Sequence, residues 1–404
     1  MKKLIALLLA LVMVFALVAC ASETKTNTDT STDTSTDTST DTSTDTSTDT
    51  DTSTDTDTDT STDTDTPDDT QTTDEPIYIP VMAKGFQHQF WQAVKAGADA
   101  AAAELGCEIY FDGPASETEI DAQVNMVKNE MAKNPKAMAL AALSTDAVKE
   151  ILAECAEKNI PVIGFDSGVP DDTSGAVKAT AATNNEAAAA IAAEKFGEHP
   201  DLVAAMEAAT PEAPVVIGCL SQDAVSASVT GRTTGFVNKM AEIAETYQPG
   251  KVSIVGHSKW EKPVDGAAII IQVAISATTE ATAVQTAANS LLSTAGIKAI
   301  FCSNEGAVTG FLAAVSDGMD LADGGKYQDL IVAGFDAGAA QKNAVREGWF
   351  YGSVTQDPYQ IGYQAVSMAY KAAMGEEVSD VDTGAQWYDA SNIDDEMIAL
   401  LVYD

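Results

Sequence analysis

Basic residues are scarce in this chain. Lysine and arginine together number 22 against 61 aspartates and glutamates, which gives a formal net charge of −39. A protein that binds nucleic acid needs a basic surface to meet the phosphates, so this balance argues against a nucleic-acid partner. The same balance disfavours direct adhesion of the folded part to anionic lipid.

Histidine is scarcer still, with only His88, His199 and His257 in the whole chain. The sequence also has no Gly-x-Ser-x-Gly elbow, no His-Glu-x-x-His zinc helix and no phosphate-binding loop. These absences argue against an enzyme, and they give no reason to expect a metal ion or a cofactor.

Cysteine is the third shortage, with five in the chain. Cys107, Cys155, Cys219 and Cys302 form no paired motif, and all but Cys155 lie in strand-like runs, so we read those three as small buried hydrophobes. A disulfide framework is not expected for a core of this size.

The remaining cysteine ends an N-terminal secretory signal. Two lysines precede an apolar run, Leu4 to Ala16, which is too short to span a membrane and is not followed by a stop-transfer pattern. The next residues, Leu17-Val18-Ala19-Cys20, resemble the bacterial lipobox. That resemblance implies a signal peptide at 1–19, and lipid attachment at Cys20 that anchors the protein outside the cell membrane. The alternative is an ordinary secreted protein with an unrelated cysteine.

A tract of threonine, serine and aspartate follows the signal and has almost no apolar side chains. Such a segment cannot bury enough surface to offset the entropy of ordering. We therefore predict that 20–76 comprises the lipidated cysteine and a disordered linker, which acts as a tether between the membrane and a folded part.

The remainder, 77–404, alternates strand and helix signals and is too long for one small core. This order predicts an α/β fold with parallel sheets covered on both faces. Two apolar runs end in the same way, in Gly164-Phe165-Asp166 and Gly334-Phe335-Asp336. Because ligands bind beyond the carboxyl ends of parallel strands, we expect two similar lobes that each present one aspartate to a shared cleft. The stretch Ser258–Gly266 fits no regular element and is predicted to be a surface insertion beside that cleft.

Six short motifs occur in an order that identifies a family. They are Lys84-Gly85 with His88-Gln89-Phe90-Trp91, Gly164-Phe165-Asp166, Thr230-Gly231-Arg232-Thr233-Thr234-Gly235-Phe236, Ser303-Asn304-Glu305, Gly334-Phe335-Asp336, and Val354-Thr355-Gln356-Asp357-Pro358 with Gly362. In this order the set resembles the ribose-binding-like type I substrate-binding proteins of ABC sugar importers, over nearly all of 77–404.

The resemblance implies a specific architecture. Two Rossmann-like lobes with parallel sheets would be joined by a three-stranded hinge, with crossings near Ala182–Asn184, Gln356–Pro358 and Gln386. The first lobe would comprise 77–183 and 357–386, and the second 184–356 and 387–404. A monomer that passes its ligand to an ABC transporter permease is implied as well.

The resemblance also implies a ligand site between the lobes. Asp166 and Asp336 would accept hydrogen bonds from sugar hydroxyls, and Arg232 would donate to hydroxyls and offset the two negative charges. Asn304 and Gln356 each offer a donor and an acceptor, and His88 would add a polar contact. Phe90 and Trp91 would pack on the apolar faces of the ring, although core packing of one of them is an equal alternative. Asn304 is also suited to cap a helix, and Gln356 to lie in the hinge.

The sequence departs from the ribose-binding pattern at two places. Ser167 stands where the family has a basic residue, and Ala141-Ala142-Leu143-Ser144 replaces a loop that often holds a polar residue and a proline. These departures favour a monosaccharide other than ribose, or a cyclic polyol such as inositol. A lipoprotein that senses a sugar or an autoinducer and presents its closed form to a membrane receptor kinase is the alternative.

Overall fold

A computed structural model describes residues 76–86 and 88–403. The predicted signal peptide at 1–19, the lipid attachment at Cys20 and the predicted linker, apart from its last residue, lie outside the described residues. Within the described part of the chain, no helix combines the length and the apolarity needed to cross a membrane.

Strands and helices alternate along the chain, as the sequence predicts. The strands are β1 Tyr78–Met82, β2 Glu108–Asp112, β3 Met138–Leu140, β4 Val162–Phe165, β5 Val177–Ala182, β6 Val215–Ser221, β7 Val252–Val255, β8 Ile269–Ile275, β9 Ile297–Cys302, β10 Ile331–Phe335, β11 Gly352–Gln356, β12 Val381–Asp382 and β13 Ala385–Tyr388. The helices are α1 Phe90–Leu105, α2 Ile120–Met131, α3 Lys149–Glu157, α4 Asn185–Glu198, α5 Pro200–Ala208, α6 Ala227–Tyr247, α7 Ala281–Leu292, α8 Glu305–Ala314, α9 Ala339–Arg346, α10 Pro358–Ala373 and α11 Glu396–Ala399.

The strands form two sheets with matching topology. The first has the order β2-β1-β3-β4-β5-β12, and the second has β8-β6-β9-β10-β11-β13 with β7 added outside β8. Every neighbouring pair is parallel except β11 and β13. The strand order 2-1-3-4-5 is that of a doubly wound sheet. In such a sheet the order of the strands reverses between β1 and β3, and a crevice forms at their carboxyl ends. The sequence-based expectation of two similar lobes therefore matches the sheet topology.

Each sheet is buried on both faces. In the first lobe, α1 and α10 cover one face around Val94 and Ile361, and α2 and α3 cover the other around Val127 and Ile151. In the second lobe, α4 and α6 cover one face, and α7, α8 and α9 cover the other. The central strand β6 is buried along its whole length, which explains its continuous apolar sequence.

Side-chain caps fix the helix starts that matter for the site. Asn184 caps α4 by accepting from the backbone N–H of Ala187 at 3.2 Å, and Asn304 caps α8 through Ala307 at 3.1 Å. Asp357 caps α10, whose first residue is Pro358, a position where no backbone N–H is required. The capping role that the sequence suggests for Asn304 is present.

Close contact between α1 and α10 depends on two glycines. A Cβ atom on Gly97 would lie 1.9 Å from the carbonyl oxygen of Tyr359, and one on Gly362 would lie 1.9 Å from that of Val94. Only a residue without a side chain permits this approach. The Gly362 of the family motif thus lies in a helix-packing contact.

The chain passes between the sheets three times: after β5, after β11 and between β12 and β13. The crossings bond to one another, since the Thr183 hydroxyl donates to the Gly384 carbonyl at 3.0 Å and the Asn184 N–H donates to Asp382 at 3.0 Å. The third crossing comes slightly before the predicted boundary at 386, because Ala385 already pairs with Gln356 in the second sheet.

Three local features differ from the predictions. Helix α5 was not predicted; it begins at Pro200, directly after α4. Cys107, predicted to be buried in a strand, is only partly buried and lies just before β2, whereas Cys219 and Cys302 are buried in strands as predicted. The stretch Ser258–Gly266 runs along β7, the outermost strand, with Lys262 paired to Ile254 and Trp260 packed in the core. It covers a sheet edge and does not line the cavity described below.

Candidate binding site between the lobes

The carboxyl ends of the two sheets face each other across a narrow cavity of about 20 Å³. All eight residues predicted as ligand contacts line it, together with four others. The lining residues are Lys84, His88, Phe90, Trp91, Glu117, Asp166, Val229, Arg232, Asn304, Glu305, Asp336 and Gln356. The structure therefore brings the predicted set together, and their contact with a ligand remains a prediction.

The two predicted aspartates occupy equivalent places. Asp166 follows β4 and Asp336 follows β10, and both have left-handed backbone angles, with φ of 51° and 77°. Their side chains are 3% and 6% exposed. Aspartate tolerates this conformation better than most residues, which helps to explain its use at a strand end that must turn sharply into the cleft.

Arg232 lies on α6 between the two carboxylates and is 3% exposed. Its Nη1 is 3.3 Å from Asp336 Oδ2, and its Nη2 is 3.9 Å from Asp166 Oδ1. Its Nε donates to Asn185 Oδ1 at 2.7 Å, and its guanidinium stacks 4.0 Å from the centre of the Phe335 ring. These contacts fix the guanidinium in place and offset the buried negative charge.

Asp336 accepts hydrogen bonds from three donors of its own lobe. Besides Arg232, Gln356 Nε2 donates to its Oδ1 at 2.7 Å, and the backbone N–H of Glu305 donates to its Oδ2 at 2.9 Å. This arrangement leaves Gln356 Oε1, in the strand that leads into the hinge, without a hydrogen-bond partner among the described residues.

Asp166 is held differently, by ion pairs rather than hydrogen bonds. Lys84 Nζ lies 3.4 Å from its Oδ2, which has no hydrogen-bond partner in the described part of the chain. Burial raises the pKa of Asp166, although the charges of Lys84 and Arg232 oppose this change. Lys84 thus shares with Arg232 the role of offsetting the charge of Asp166.

Lys84 and Glu117 are two further charged residues of the cavity that the sequence analysis did not assign to the site, and each favours the charged form of the other. Burial alone would lower the pKa of Lys84, but the carboxylates of Asp166 and Glu117 outweigh it and raise the pKa. Burial opposes ionisation of Glu117 too, yet Lys84 and His88 lower its pKa overall. Glu117 also accepts hydrogen bonds from Trp91 Nε1 at 3.1 Å and from Gln222 Nε2 at 3.0 Å.

The bond between Glu117 and Gln222 joins the two lobes, and Gln222 in turn accepts from Asn304 Nδ2. Lys84 adds another link by donating to Ser228 Oγ at 3.3 Å. Lys84, Glu117, Gln222 and Asn304 follow the carboxyl ends of β1, β2, β6 and β9, and Ser228 lies on α6. The strand-end rule that found the two aspartates could therefore have found Lys84 and Gln222 as well.

For Phe90 and Trp91 the sequence left two alternatives open, contact with the ligand and packing in the core, and their positions are compatible with both. They line the cavity, and they are also buried in the first lobe's core at 5% and 1% exposure, with their rings 5.0 Å apart. His88 reaches the cavity with a buried Nε2 that has no hydrogen-bond partner among the described residues. No cluster of three or more histidine, cysteine or carboxylate side chains in the described ranges is arranged to hold a metal ion.

Comparison with known proteins places this geometry in context. The family model described as "Periplasmic binding protein domain" matches residues 79–377. The D-allose-binding periplasmic protein of Escherichia coli strain K12 is 23% identical over 311 residues, which cover 76% of this chain and 88% of that protein.

Two solved structures extend the comparison. One is described as an ABC transporter, LacI family transcriptional regulator from Brachyspira murdochii; it is 40% identical, with a TM-score of 0.68, and the match covers 81% of this chain and 99% of that one. The other is an ABC transporter solute binding protein from Agrobacterium vitis with bound D-fucose. It is 26% identical, with a TM-score of 0.65, and the match covers 81% and 100% of the two chains.

Proposed function

Because the chain belongs to the periplasmic binding protein family, we propose that it captures a monosaccharide or cyclic polyol between its lobes and delivers it to an ABC importer. The family is one of binding proteins and not of enzymes, so the prediction of no enzymatic activity is confirmed, as is the predicted type I fold. We further propose that the protein is a monomeric lipoprotein, anchored outside the cell membrane through Cys20.

One observation supports a ring with several hydroxyl groups as the ligand. Three buried polar atoms of cavity-lining residues, His88 Nε2, Asp166 Oδ2 and Gln356 Oε1, have no hydrogen-bond partner among the described residues. An unpaired buried polar group costs roughly 1–3 kcal/mol, so such atoms favour a ligand that can pair with all of them. A ring that carries several hydroxyls supplies donors in different directions, and its C–H faces suit Phe90 and Trp91.

The relatives support the same class. One is named for D-allose and another was solved with D-fucose, and both are aldohexose-type sugars. The mixed lining of four carboxylates, a guanidinium, an ammonium group and two amides suits polyhydroxylated ligands, since each hydroxyl both donates and accepts.

A thermal-shift panel tests the proposal. The purified protein is screened against D-allose, D-fucose, D-arabinose, other monosaccharides, cyclitols and autoinducer-type furanoses. A ligand present at 100 times its dissociation constant adds about 2.7 kcal/mol of stability, which a melting curve detects. Stabilisation by a sugar or cyclitol is expected, and no response across the panel would contradict the ligand class.

A variant of a cavity residue tests whether the ligand binds in the cavity between the lobes. Asp336→Ala is expected to abolish binding, because it removes the carboxylate around which Arg232, Gln356 and the Glu305 N–H converge. Asp394→Ala is the matched control, since Asp394 is an exposed aspartate that pairs with Arg346. Near-wild-type affinity in Asp336→Ala would refute the site assignment.

A further inference from the structure

Tyr403, near the C-terminal end of the chain, touches both lobes beside the cavity. Its ring packs edge-on against Phe90 of the first lobe, with the ring centres 6.2 Å apart. In the second lobe its hydroxyl accepts from the backbone N–H of Ala337 at 3.3 Å and donates to Glu305 Oε2 at 3.4 Å. A nearby bond from the Thr355 hydroxyl to the Leu401 carbonyl, at 3.0 Å, fixes this end of the chain next to the hinge.

Glu305 is the second element of this contact. It begins α8, lines the cavity and packs so closely over Gly338 that a Cβ atom there would lie 2.4 Å from Oε1. From the first lobe, His88 and the backbone of Gln89 approach the carboxylate closely enough to lower its pKa. Gln89 also accepts from the Ala339 N–H through its side chain, at 3.1 Å. The carboxyl group is therefore covered from both lobes.

We propose that Glu305 and Tyr403 form a proton-linked latch, in which they act as positioning residues that hold the two lobes together beside the ligand cavity. Its effect on ligand binding rests on the proposed function, whereas its effect on lobe closure does not. The latch links the last residues of the chain to the wall that Phe90 contributes, and to the turn that follows Asp336.

Protonation of Glu305 decides the strength of the latch. Burial raises the pKa of Glu305 to about 7, and the neighbouring Asp336 raises it as well. His88, the Tyr403 hydroxyl and the Gln89 N–H act in the opposite direction. Separation of the lobes removes the cover that the first lobe provides, so the carboxyl returns toward its ordinary value of 4.5.

The sign of the pH effect follows from this difference. Closure raises the pKa, so the closed form binds a proton more tightly than the open form as the pH falls below about 7. The preference for closure is therefore greatest at low pH, and it falls by at most about tenfold for each pH unit as the pH rises toward 7. Ligand affinity should weaken by the same factor, because the ligand binds the closed form.

Two variants separate the parts of the latch. Glu305→Gln imitates the protonated carboxyl, so closure and affinity should no longer depend on pH between 5 and 7 beyond what Asp166 contributes. Tyr403→Phe removes a donor to the carboxylate, which should shift the Glu305 titration to higher pH. Tyr363→Phe is the matched control, because the Tyr363 hydroxyl donates to Glu104 on the exposed surface of the first lobe.

The latch is tested without any ligand. Carboxyl ¹³C NMR of protein labelled at glutamate follows the titration of Glu305, with the Glu305→Gln spectrum identifying its signal. Spin labels are attached to cysteines introduced by Asn129→Cys and Asn289→Cys, at exposed positions on α2 and α7. Double electron–electron resonance between the two labels reports the distance between the lobes. We expect a midpoint near pH 7 in the wild type, a higher one in Tyr403→Phe, and a wider lobe distance as the pH rises.

The outcomes distinguish this inference from the proposed function. A Glu305 midpoint near 4.5 in the wild type, or Tyr403→Phe behaving like Tyr363→Phe, would overturn the latch even if a sugar binds. A sugar panel without a hit would contradict the proposed function, yet the titration and the lobe distances would still decide the latch.

Discussion

Removal of Arg232 is the most informative perturbation of this molecule. The guanidinium is 3% exposed and is shared between Asp336 and Asp166. Loss of one partner of a buried ion pair generally costs about 3–5 kcal/mol, because the other charge remains buried. Asp336 would keep its donors from Gln356 and the Glu305 N–H, and Asp166 would keep Lys84. We therefore expect Arg232→Ala to lose about 3 kcal/mol of unfolding free energy at pH 7, near the lower end of that range, and to lose ligand binding.

The assay is urea denaturation followed by circular dichroism, together with ligand titration calorimetry. Arg346→Ala is the matched control, since Arg346 is the only other arginine and forms an exposed pair with Asp394. Such surface pairs contribute about 0–1 kcal/mol. In the double variant Arg232→Ala/Asp336→Asn the uncompensated charge is gone, so part of the lost stability should return. If Arg232→Ala costs no more than Arg346→Ala, the account of a buried, shared charge is wrong.

Three further predictions concern the packing and the anchor. Gly97→Ala should cost roughly 1–3 kcal/mol of unfolding free energy, because its Cβ would overlap the Tyr359 carbonyl; an unchanged urea midpoint would contradict the close helix contact. Trp260→Phe should lower the free energy of unfolding by about 1 kcal/mol, because it removes the indole N–H that donates to Thr234 at 2.9 Å. Trp260→Ala should lower it by about 3–5 kcal/mol, because it also removes a ring packed in the core; equal losses in the two variants would contradict that packing. Cys20→Ser should move the protein from the membrane fraction to the soluble fraction in cell fractionation, and an unchanged distribution would refute the lipid anchor.

The fold was largely predictable because its signals are local. Helix α10, for example, begins where an aspartate cap, Asp357, and a proline at the first position mark its start, within one of the six motifs. Helix α5 was missed although Pro200 marks its start in the same way, because it follows α4 without a loop. The surface location of Ser258–Gly266 was predicted, but its pairing with β7 depends on a sheet edge that the sequence does not reveal.

The residues of the candidate site also fall into a group that could be predicted from the sequence and a group that could not. Residues directly beyond strand ends, such as Asp166 and Asp336, were found because parallel strands bring their carboxyl ends to one edge. Glu117 was missed because it lies in a loop several residues beyond the end of β2, and part of its position depends on a contact between the lobes, its bond to Gln222. Glu305 and Tyr403 meet across a long stretch of sequence for the same reason. Contacts that depend on how two lobes meet leave no periodic pattern in the sequence.

The two aspartates are equivalent in topology but not in chemistry. Asp336 is held by three donors of its own lobe, so its position is set before the first lobe approaches. Asp166 has an ion pair with Lys84 and an Oδ2 without a hydrogen-bond partner among the described residues, so it retains capacity to accept from a ligand. The second lobe thus presents a rigid, pre-arranged surface, and the first lobe presents an acceptor that a bound hydroxyl can satisfy. Because a ligand favours closure only through contacts that differ between the open and closed forms, Asp166 is better placed than Asp336 to make closure depend on the ligand.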